Sequence, residues 1–294
     1  MKGNKMSYLV NYLCWAVIFL FSQTALASTA VFEISKGEQK LFIAGTVHIL
    51  PSSEFPLPEA FDLAYQQSSI MVFEADIRQL ETAAGMQLLM QHARYQDGNR
   101  LKQVLNTANY QALDKQAAAL GLNIQALDSF KPDFVIINLM QLALNKAGLA
   151  GEGVDKFYLN KAIADNRELA FLETIEQQLG LLFNASTGNE DWFVQFSLAQ
   201  LQDIETQLKQ IIGAWRKGNL TVLAELAMEG ADTAAGQQFY QRMLVQRNQA
   251  WISQLEAMLK TKEVEMVLVG ALHLAGDANV LDLLREKGYQ VKQL

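Results

Sequence analysis

Cysteine is almost absent from this chain. Its single copy, Cys14, lies inside an apolar run near the N-terminus. If that run is removed on export, the remaining protein has no cysteine, which excludes disulfides, thiolate zinc ligands and a cysteine nucleophile. The sequence also lacks a Gly-x-Ser-x-Gly motif, a phosphate-binding loop and a dinucleotide-binding fingerprint. A serine hydrolase, a nucleotide-binding protein and a redox-cofactor enzyme therefore lose their usual sequence support.

The chain also has fewer basic than acidic residues. The chain has 24 lysines and arginines against 31 acidic residues, which gives a formal charge of −7. The first 27 residues contain two lysines and no acidic residue, so their removal changes the charge to −9. This excess of negative charge argues against nucleic acid and against anionic membrane surfaces as partners.

The N-terminal residues have the pattern of a secretory signal peptide. Two lysines precede an apolar run over residues 9–21, and Ala25-Leu26-Ala27 supplies the small residues of a cleavage site. The run is shorter than the roughly 20 residues that a bilayer-spanning helix needs. We therefore expect cleavage of residues 1–27, leaving a periplasmic or secreted domain over residues 28–294 without stable membrane insertion. An uncleaved N-terminal anchor is the alternative.

Two of the three histidines end near-copies of one short phrase. Each phrase is an apolar stretch followed by Gly-x-x-His, which ends at His48 near the start of the chain and at His273 near its end. The apolar stretches are typical of strands covered on both faces, and the glycine lets the backbone turn where the strand stops. The carboxyl ends of parallel strands collect ligands and catalytic groups in α/β proteins. The repetition therefore predicts that both imidazoles share one polar site.

A third apolar strand, within residues 69–76, ends at Glu74. Two imidazoles and one carboxylate suffice for an open, water-bearing divalent metal site, so we predict a metal held by His48, Glu74 and His273. The alternatives are a histidine that bonds only nearby backbone and a Glu74 paired with a structural arginine, because an unpaired buried carboxylate is costly. Asp76 shares the face of Glu74 if the strand continues, and is then a substitute for it.

Other polar residues of the chain admit both a functional and a structural interpretation. Glu173 follows a further apolar strand and Arg247 lies in a mostly polar helix, so each is a catalytic candidate or the buried ion-pair partner of the other. Asp155 is interpreted as the N-cap of a helix that begins at Lys156, and not as a metal ligand. His92 is predicted to be a partly exposed helical residue.

The pattern along the chain predicts one α/β domain. No linker or low-complexity segment divides it. We expect a central parallel or mixed sheet with a helical cap or helical insertions, because apolar strands alternate with long stretches of helical periodicity. The predicted strands are 30–35, 40–44, 69–76, 169–172, 267–270 and 289–292, and the predicted helices cover 59–67, much of 78–147 with a buried helix over 134–144, 192–216, 220–228 and 236–260.

Taken in order, these motifs resemble the TraB/PrgY/GumN family, which includes the Tiki-type proteases and is more distantly similar to erythromycin esterase and the haem-binding protein ChaN. The resemblance covers nearly the whole chain after the signal peptide. Beyond the two Gly-x-x-His phrases, it rests on Leu57-Pro58, Glu74, Gly153-Val154-Asp155, Leu172-Glu173-Thr174 with Gln177, Arg247-Asn248 with Trp251, and Gly276.

The resemblance implies a metal-dependent hydrolase of peptidase type that acts on a peptide or on a small ester or amide. A divalent ion such as Zn, Mn or Co would acidify its bound water toward a pKa of about 7 and polarise the carbonyl. Glu74, Glu173 and Arg247 are the catalytic candidates: Glu173, or Asp76, as general base, and Arg247 for a substrate carboxylate or the developing oxyanion. No His-Glu-x-x-His helix is present, so the site differs from that of common zinc proteases.

Two other functions remain open at this point. The first is a non-catalytic periplasmic protein that binds haem or sequesters a peptide through the same histidines. The second is a structural or regulatory protein with a vestigial site.

Overall fold

The computed structural model describes residues 29–294, so the predicted signal peptide lies outside the described part of the chain. Its centre is a six-stranded sheet. The strands are β1 (Val31–Lys36), β2 (Gln39–Thr46), β3 (Ile70–Phe73), β4 (Glu168–Phe171), β5 (Glu265–Gly270) and β6 (Gln290–Gln293).

The strand order is β4-β3-β5-β2-β1-β6. β4, β3, β5 and β2 run parallel to one another, whereas β1 is antiparallel to both β2 and β6. The sheet is therefore mixed, and the predicted α/β class is confirmed. Four adjacent parallel strands end at the same edge, which is where the sequence places its polar residues.

Helices surround the sheet and build a cap beside it. They are α1 (Glu59–Gln67), α2 (Ala83–Ala93), α3 (Leu101–Val104), α4 (Thr107–Ala119), α5 (Pro132–Lys146), α6 (Val154–Ala164), α7 (Ile175–Leu182), α8 (Glu190–Gln202), α9 (Ile204–Arg216), α10 (Leu220–Ala227), α11 (Ala234–Tyr240), α12 (Gln246–Met258) and α13 (Val280–Glu286). A π-helical segment, Gln241–Val245, joins α11 to α12. No helix within residues 29–294 is long and apolar enough to cross a membrane.

The two faces of the sheet belong to different hydrophobic clusters. In β2, Phe42 and Ala44 pack with residues of α1, α6 and α9, whereas Leu41 and Ile43 pack with residues of α12 and α13. Successive side chains of a strand point to opposite faces, so an almost continuous apolar sequence fills both layers. Truncation of such a fully buried residue, for example Ile43→Ala, costs about 2–5 kcal/mol.

A third hydrophobic cluster forms the predicted helical cap from α2, α4, α5, α7 and α8. The single helix predicted over 192–216 is wrong, because the chain breaks at Asp203 into α8 and α9. The break has a packing reason. Val194 of α8 lies in the core of the cap, whereas Trp215 of α9 lies against the sheet, and one straight helix does not serve both layers.

Candidate functional site

Four polar side chains follow the ends of the four adjacent parallel strands. His48 lies beyond β2, His273 beyond β5, Glu74 beyond β3 and Glu173 beyond β4. The backbone continues the pairing past the last two strands, since the N–H of Glu173 donates to the carbonyl of Glu74 at 2.8 Å. The structure therefore brings together residues that are up to 225 positions apart in the sequence.

The two Gly-x-x-His phrases pack directly on each other. A Cβ added to Gly45 would lie 3.1 Å from the Cα of Ala271 and 3.0 Å from a methyl group of Leu274. The indole of Trp215 fixes the first phrase from the other side by donating to the Gly45 carbonyl at 2.7 Å. The absence of a side chain at Gly45 therefore permits the close approach that brings the two histidine turns side by side.

His273 is buried and held as a neutral imidazole. Its Nδ1 lies 2.6 Å from Oδ1 of Asn248, whose Nδ2 donates to the carbonyl of Ala278 at 3.0 Å. Because Nη1 of Arg247 donates to Nε2 of His273 at 3.0 Å, the ring proton is on Nδ1 and Nε2 carries a lone pair. Burial lowers the pKa of His273 to about 3, and the attraction of Glu74 for the imidazolium does not offset it.

Glu74 is buried and accepts hydrogen bonds on both carboxylate oxygens. Its Oε1 accepts from the backbone N–H of Gly270 at 2.7 Å, and its Oε2 accepts from Arg247 at 2.5 Å and from Gln178 at 3.2 Å. Burial alone raises the pKa of this carboxyl, but His273, Arg247, His48 and the Gly270 N–H outweigh it and lower the pKa to about 2. Near neutral pH, where His273 is uncharged, Arg247 supplies the compensating charge.

All five N–H groups of Arg247 are engaged by described residues. Nε and Nη2 donate to the two oxygens of Glu173 at 2.8 and 2.9 Å, and Nη2 also donates to Glu74. Nη1 donates to His273 and, at 3.4 Å, to the carbonyl of Met243 in the π-helical segment. An arginine has five donors in total, so this side chain reaches a substrate carboxylate or an oxyanion only if it first releases one of these partners.

Glu173 is the anchor of this arginine. Its Oε1 also accepts from the indole of Trp251 at 3.0 Å, and the Trp251 ring lies 4.8 Å from the guanidinium of Arg247. The buried ion pair between Glu173 and Arg247, which the sequence offered as one of two interpretations, is present. The Glu173 carboxylate therefore contacts Arg247 and Trp251 in this structure, and its role as general base stays a prediction.

Asp155 lies beside His48, a contact that the sequence did not predict. The predicted N-cap at Asp155 is wrong, since α6 is capped at Gly153. The N–H of Val154 donates to the carbonyl of Val47 at 3.0 Å, and a Cβ on Gly153 would lie 2.4 Å from the carbonyl oxygen of His48. This backbone contact sets where α6 begins. It therefore places the Asp155 side chain in the first turn of the helix, against the imidazole.

The two side chains form a partly exposed pair. His48 Nδ1 lies 3.2 Å from Oδ1 of Asp155, an oxygen without a hydrogen-bond partner elsewhere among residues 29–294. Desolvation lowers the pKa of His48, but the carboxylates of Asp155 and Glu74 favour the imidazolium more strongly and raise the pKa above its ordinary value. His48 therefore carries its charge more readily than an isolated histidine.

The other sequence predictions near the site have mixed outcomes. β3 stops at Phe73, so Asp76 does not continue the face of Glu74; it caps a short 3₁₀ turn and pairs with Arg78 at 2.6 and 2.7 Å. The prediction that Asp76 could substitute for Glu74 is therefore wrong. His92 lies in α2 and is half-buried, as expected. Gln177, part of the resemblance, belongs to a capping box at the start of α7.

The three predicted metal ligands border one small space beside Gly270. A Cβ at this position would lie 3.5 Å from Oε1 of Glu74, 3.6 Å from Cδ2 of His273 and 3.7 Å from Nε2 of His48. These distances are ordinary contacts, so the missing side chain leaves a cradle of about methyl size between three donor groups. Each histidine turns Nδ1 to an outer acceptor, as metal-binding histidines commonly do.

The donor chemistry therefore fits a divalent metal, but the present positions do not close around one. Within the described residues, no three His, Cys, Asp or Glu side chains are grouped tightly enough to hold an ion as they stand. The reason is local. Arg247 occupies the lone pair of His273 Nε2 and one oxygen of Glu74, so the guanidinium takes up two of the three donors.

This fold and site define an α/β protein with a pair of histidine turns, two glutamates and a buried arginine at one sheet edge. The chain belongs to the TraB/PrgY/gumN family, whose match covers residues 30–293. It is similar to the protein YbaP of Escherichia coli K12, with 24% identity over 263 residues, which cover 85% of this chain and 89% of YbaP. YbaP of Shigella flexneri is similar to the same extent. No protein of solved structure matches the chain.

Proposed function

We propose that the protein is a metal-dependent hydrolase of peptidase type that acts on a peptide or on a small ester or amide, outside the cytoplasm. The observation that carries this proposal is the cradle beside Gly270, which Glu74, His48 and His273 border with a carboxylate oxygen and two imidazoles. Such a donor set is typical of open catalytic sites for Zn, Mn or Co.

His48, Glu74 and His273 would hold the ion. When bound, it would acidify a water molecule and polarise the substrate carbonyl. The protein contributes preorganisation, because His273 is already neutral, as a ligand must be, and Asn248 fixes its tautomer. His48 has to give up its proton to become a ligand, while Asp155 keeps Nδ1 as the protonated nitrogen.

Arg247 and Glu173 act as positioning residues in this proposal. Without metal, the guanidinium holds the Glu74 carboxylate and the His273 ring in place, and the Glu173 carboxylate fixes the guanidinium. Because both donor groups are already positioned before metal binding, little further ordering is needed to form the site. Direct contact of either residue with the substrate would require the present hydrogen bonds to rearrange.

The test is metal content and turnover, measured together on protein purified without a histidine tag. Chelator-treated protein is reloaded with Zn, Mn or Co in turn, and hydrolysis of a peptide mixture and of small esters and amides is followed. We expect about one ion per chain and metal-dependent turnover. His273→Ala should lose both, and the matched control His92→Ala should keep both.

Two results contradict the proposal in different ways. Hydrolysis by metal-free His273→Ala protein would show that turnover does not depend on this site. Stoichiometric binding of metal, haem or peptide without turnover under any of the ions would replace the hydrolase by the binding protein that the sequence left open.

A further inference from the structure

The guanidinium of Arg247 lies where a cation is expected in this site. It donates to Nε2 of His273 at 3.0 Å and to Oε2 of Glu74 at 2.5 Å, and both groups belong to the proposed metal-binding set. Arg247 and Glu74 are each only 9% exposed, so water does not substitute for either partner. In this structure the arginine is the positive charge that those two donors bind.

The arginine has a second set of partners on its far side. Nε and Nη2 hold both oxygens of Glu173, the guanidinium lies over the ring of Trp251, and Nη1 reaches the carbonyl of Met243. If the bonds to Glu74 and His273 are lost, the positive charge is still paired with Glu173. A small rotation of the guanidinium away from the cradle therefore does not leave an uncompensated buried charge.

The carbonyl of Met243 belongs to the π-helical segment that immediately precedes α12. The π segment Gln241–Val245 replaces the regular α-helical bonding at the junction of α11 and α12. Such segments are rare in helices and occur frequently at functional sites. Here the π segment gives Nη1 of Arg247 an acceptor that lies outside the donor set.

We propose that Arg247 is an internal competitor of the metal: an ion binds only as the guanidinium releases His273 Nε2 and Glu74 Oε2. This inference rests on the metal site of the proposed function. Two buried positive charges repel at short range, and the displaced arginine loses two charge-assisted hydrogen bonds. Arg247 therefore sets an upper limit on metal affinity and makes the bound ion exchangeable.

If Arg247 only held the metal ligands in place, its removal would weaken metal binding and not strengthen it. A residue that only orients ligands strengthens metal binding, and the loss of such a partner typically weakens binding by 10–100-fold. A competitor weakens metal binding, so its loss strengthens it. The sign of the change in metal affinity thus separates the two roles.

The experiment is a calorimetric titration of the full chain with Mn²⁺ and with Zn²⁺. The main variant is Arg247→Gln combined with Glu173→Gln, which removes the guanidinium together with its anchoring carboxylate and leaves no unpaired charge at position 173. Arg242→Gln is the matched control, because Arg242 lies in the π segment next to Arg247 but bonds the carbonyls of Asn184, Ala185 and Thr187. Circular dichroism and thermal unfolding establish that each variant is folded, and Arg247→Lys is a milder version that keeps the charge.

We expect the double variant to bind metal at least about tenfold more tightly than the wild type, Arg247→Lys to lie between them, and Arg242→Gln to match the wild type. The visible spectrum of bound Co²⁺ should report the same order. Equal or weaker binding by the folded double variant, beside measurable binding by the wild type, overturns this inference and leaves the proposed function standing. Absence of binding in the wild type and in every folded variant overturns both.

Discussion

The two histidine turns come from nearly the same sequence phrase and end in opposite environments. The side chain of His48 is 64% exposed and faces the Asp155 carboxylate, whereas that of His273 is 4% exposed and faces the Asn248 amide. The pKa of His48 is raised and the pKa of His273 is lowered to about 3. A repeated motif therefore places both rings at one sheet edge but does not decide their charge.

The difference comes from the helices that pack on each turn. α12 covers His273 with Arg247, Asn248 and the ring of Trp251, 4.5 Å away, so a charged imidazolium would be buried beside an arginine. α6 presents Asp155 to His48, whose side chain stays largely exposed to solvent. In the proposed metal site, His273 would enter as a neutral ligand, whereas His48 would first have to lose its proton.

The largest expected loss of stability distinguishes the buried part of the site around Arg247 from the partly exposed pair of His48 and Asp155. Arg247→Ala leaves Glu74 and Glu173 buried without their common partner, and we expect it to lower the free energy of unfolding by about 3–5 kcal/mol. Asp155→Asn acts on a partly exposed pair and should cost less than about 1 kcal/mol. Urea unfolding followed by circular dichroism measures both. Similar losses for the two variants would mean that the buried part and the exposed pair are not distinct.

The acid side of the stability profile should depend on His273. The pKa of His273 is about 3 in the folded protein and about 6.5 in the unfolded chain. Its contribution to the free energy of unfolding is therefore fully present above pH 6.5 and is lost as the pH falls below that value. At pH 5 the loss is about 2 kcal/mol. The low pKa of Glu74 affects the free energy of unfolding only below about pH 4.5, outside the range from pH 7 to pH 5. Urea midpoints between pH 7 and pH 5 should fall less for His273→Gln than for the wild type, and an equal fall would contradict this account.

The change of stability at alkaline pH should depend, more weakly, on His48. Because its pKa is raised in the folded protein, its contribution is fully present below pH 6.5 and is lost as the pH rises through the folded value. Exposure of the ring to solvent keeps the effect small. Between pH 6.5 and pH 9, Asp155→Asn should therefore show a flatter loss of stability than the wild type. A profile unchanged by this substitution would remove the carboxylate as the cause.

Much of this arrangement could be predicted from the sequence. α1 has the predicted bounds, Glu59–Gln67, because a proline precedes it and its apolar spacing is regular. The meeting of His48, Glu74 and His273 at one edge follows from apolar strands that end in polar residues, since parallel strands align their carboxyl ends. The same reasoning brought Glu173 to this edge.

The partners of those residues could not be predicted in the same way. Asp155 has the local pattern of an N-cap, and only the close approach of Gly153 to the His48 turn shows otherwise. Asn248 carries no signal beyond its place after Arg247, because its role depends on how α12 packs against β5. Electrostatic environment is a product of tertiary contacts, which helical periodicity does not encode.

The central claim, that the three donors surround one ligand-sized space, is tested most directly by Gly270→Ala. The backbone at Gly270, with φ −51° and ψ 135°, accepts alanine, and the new methyl group would lie 3.5–3.7 Å from Oε1 of Glu74, Nε2 of His48 and the ring carbon Cδ2 of His273, without a clash. The matched control is Gly213→Ala in α9, where an added Cβ meets nothing within 4 Å. The measurement is metal content per chain after loading with Zn or Mn, with thermal unfolding as the check on folding. We expect both variants to fold like the wild type and only Gly270→Ala to lose the metal. A folded Gly270→Ala protein that binds as much metal as the control would contradict it.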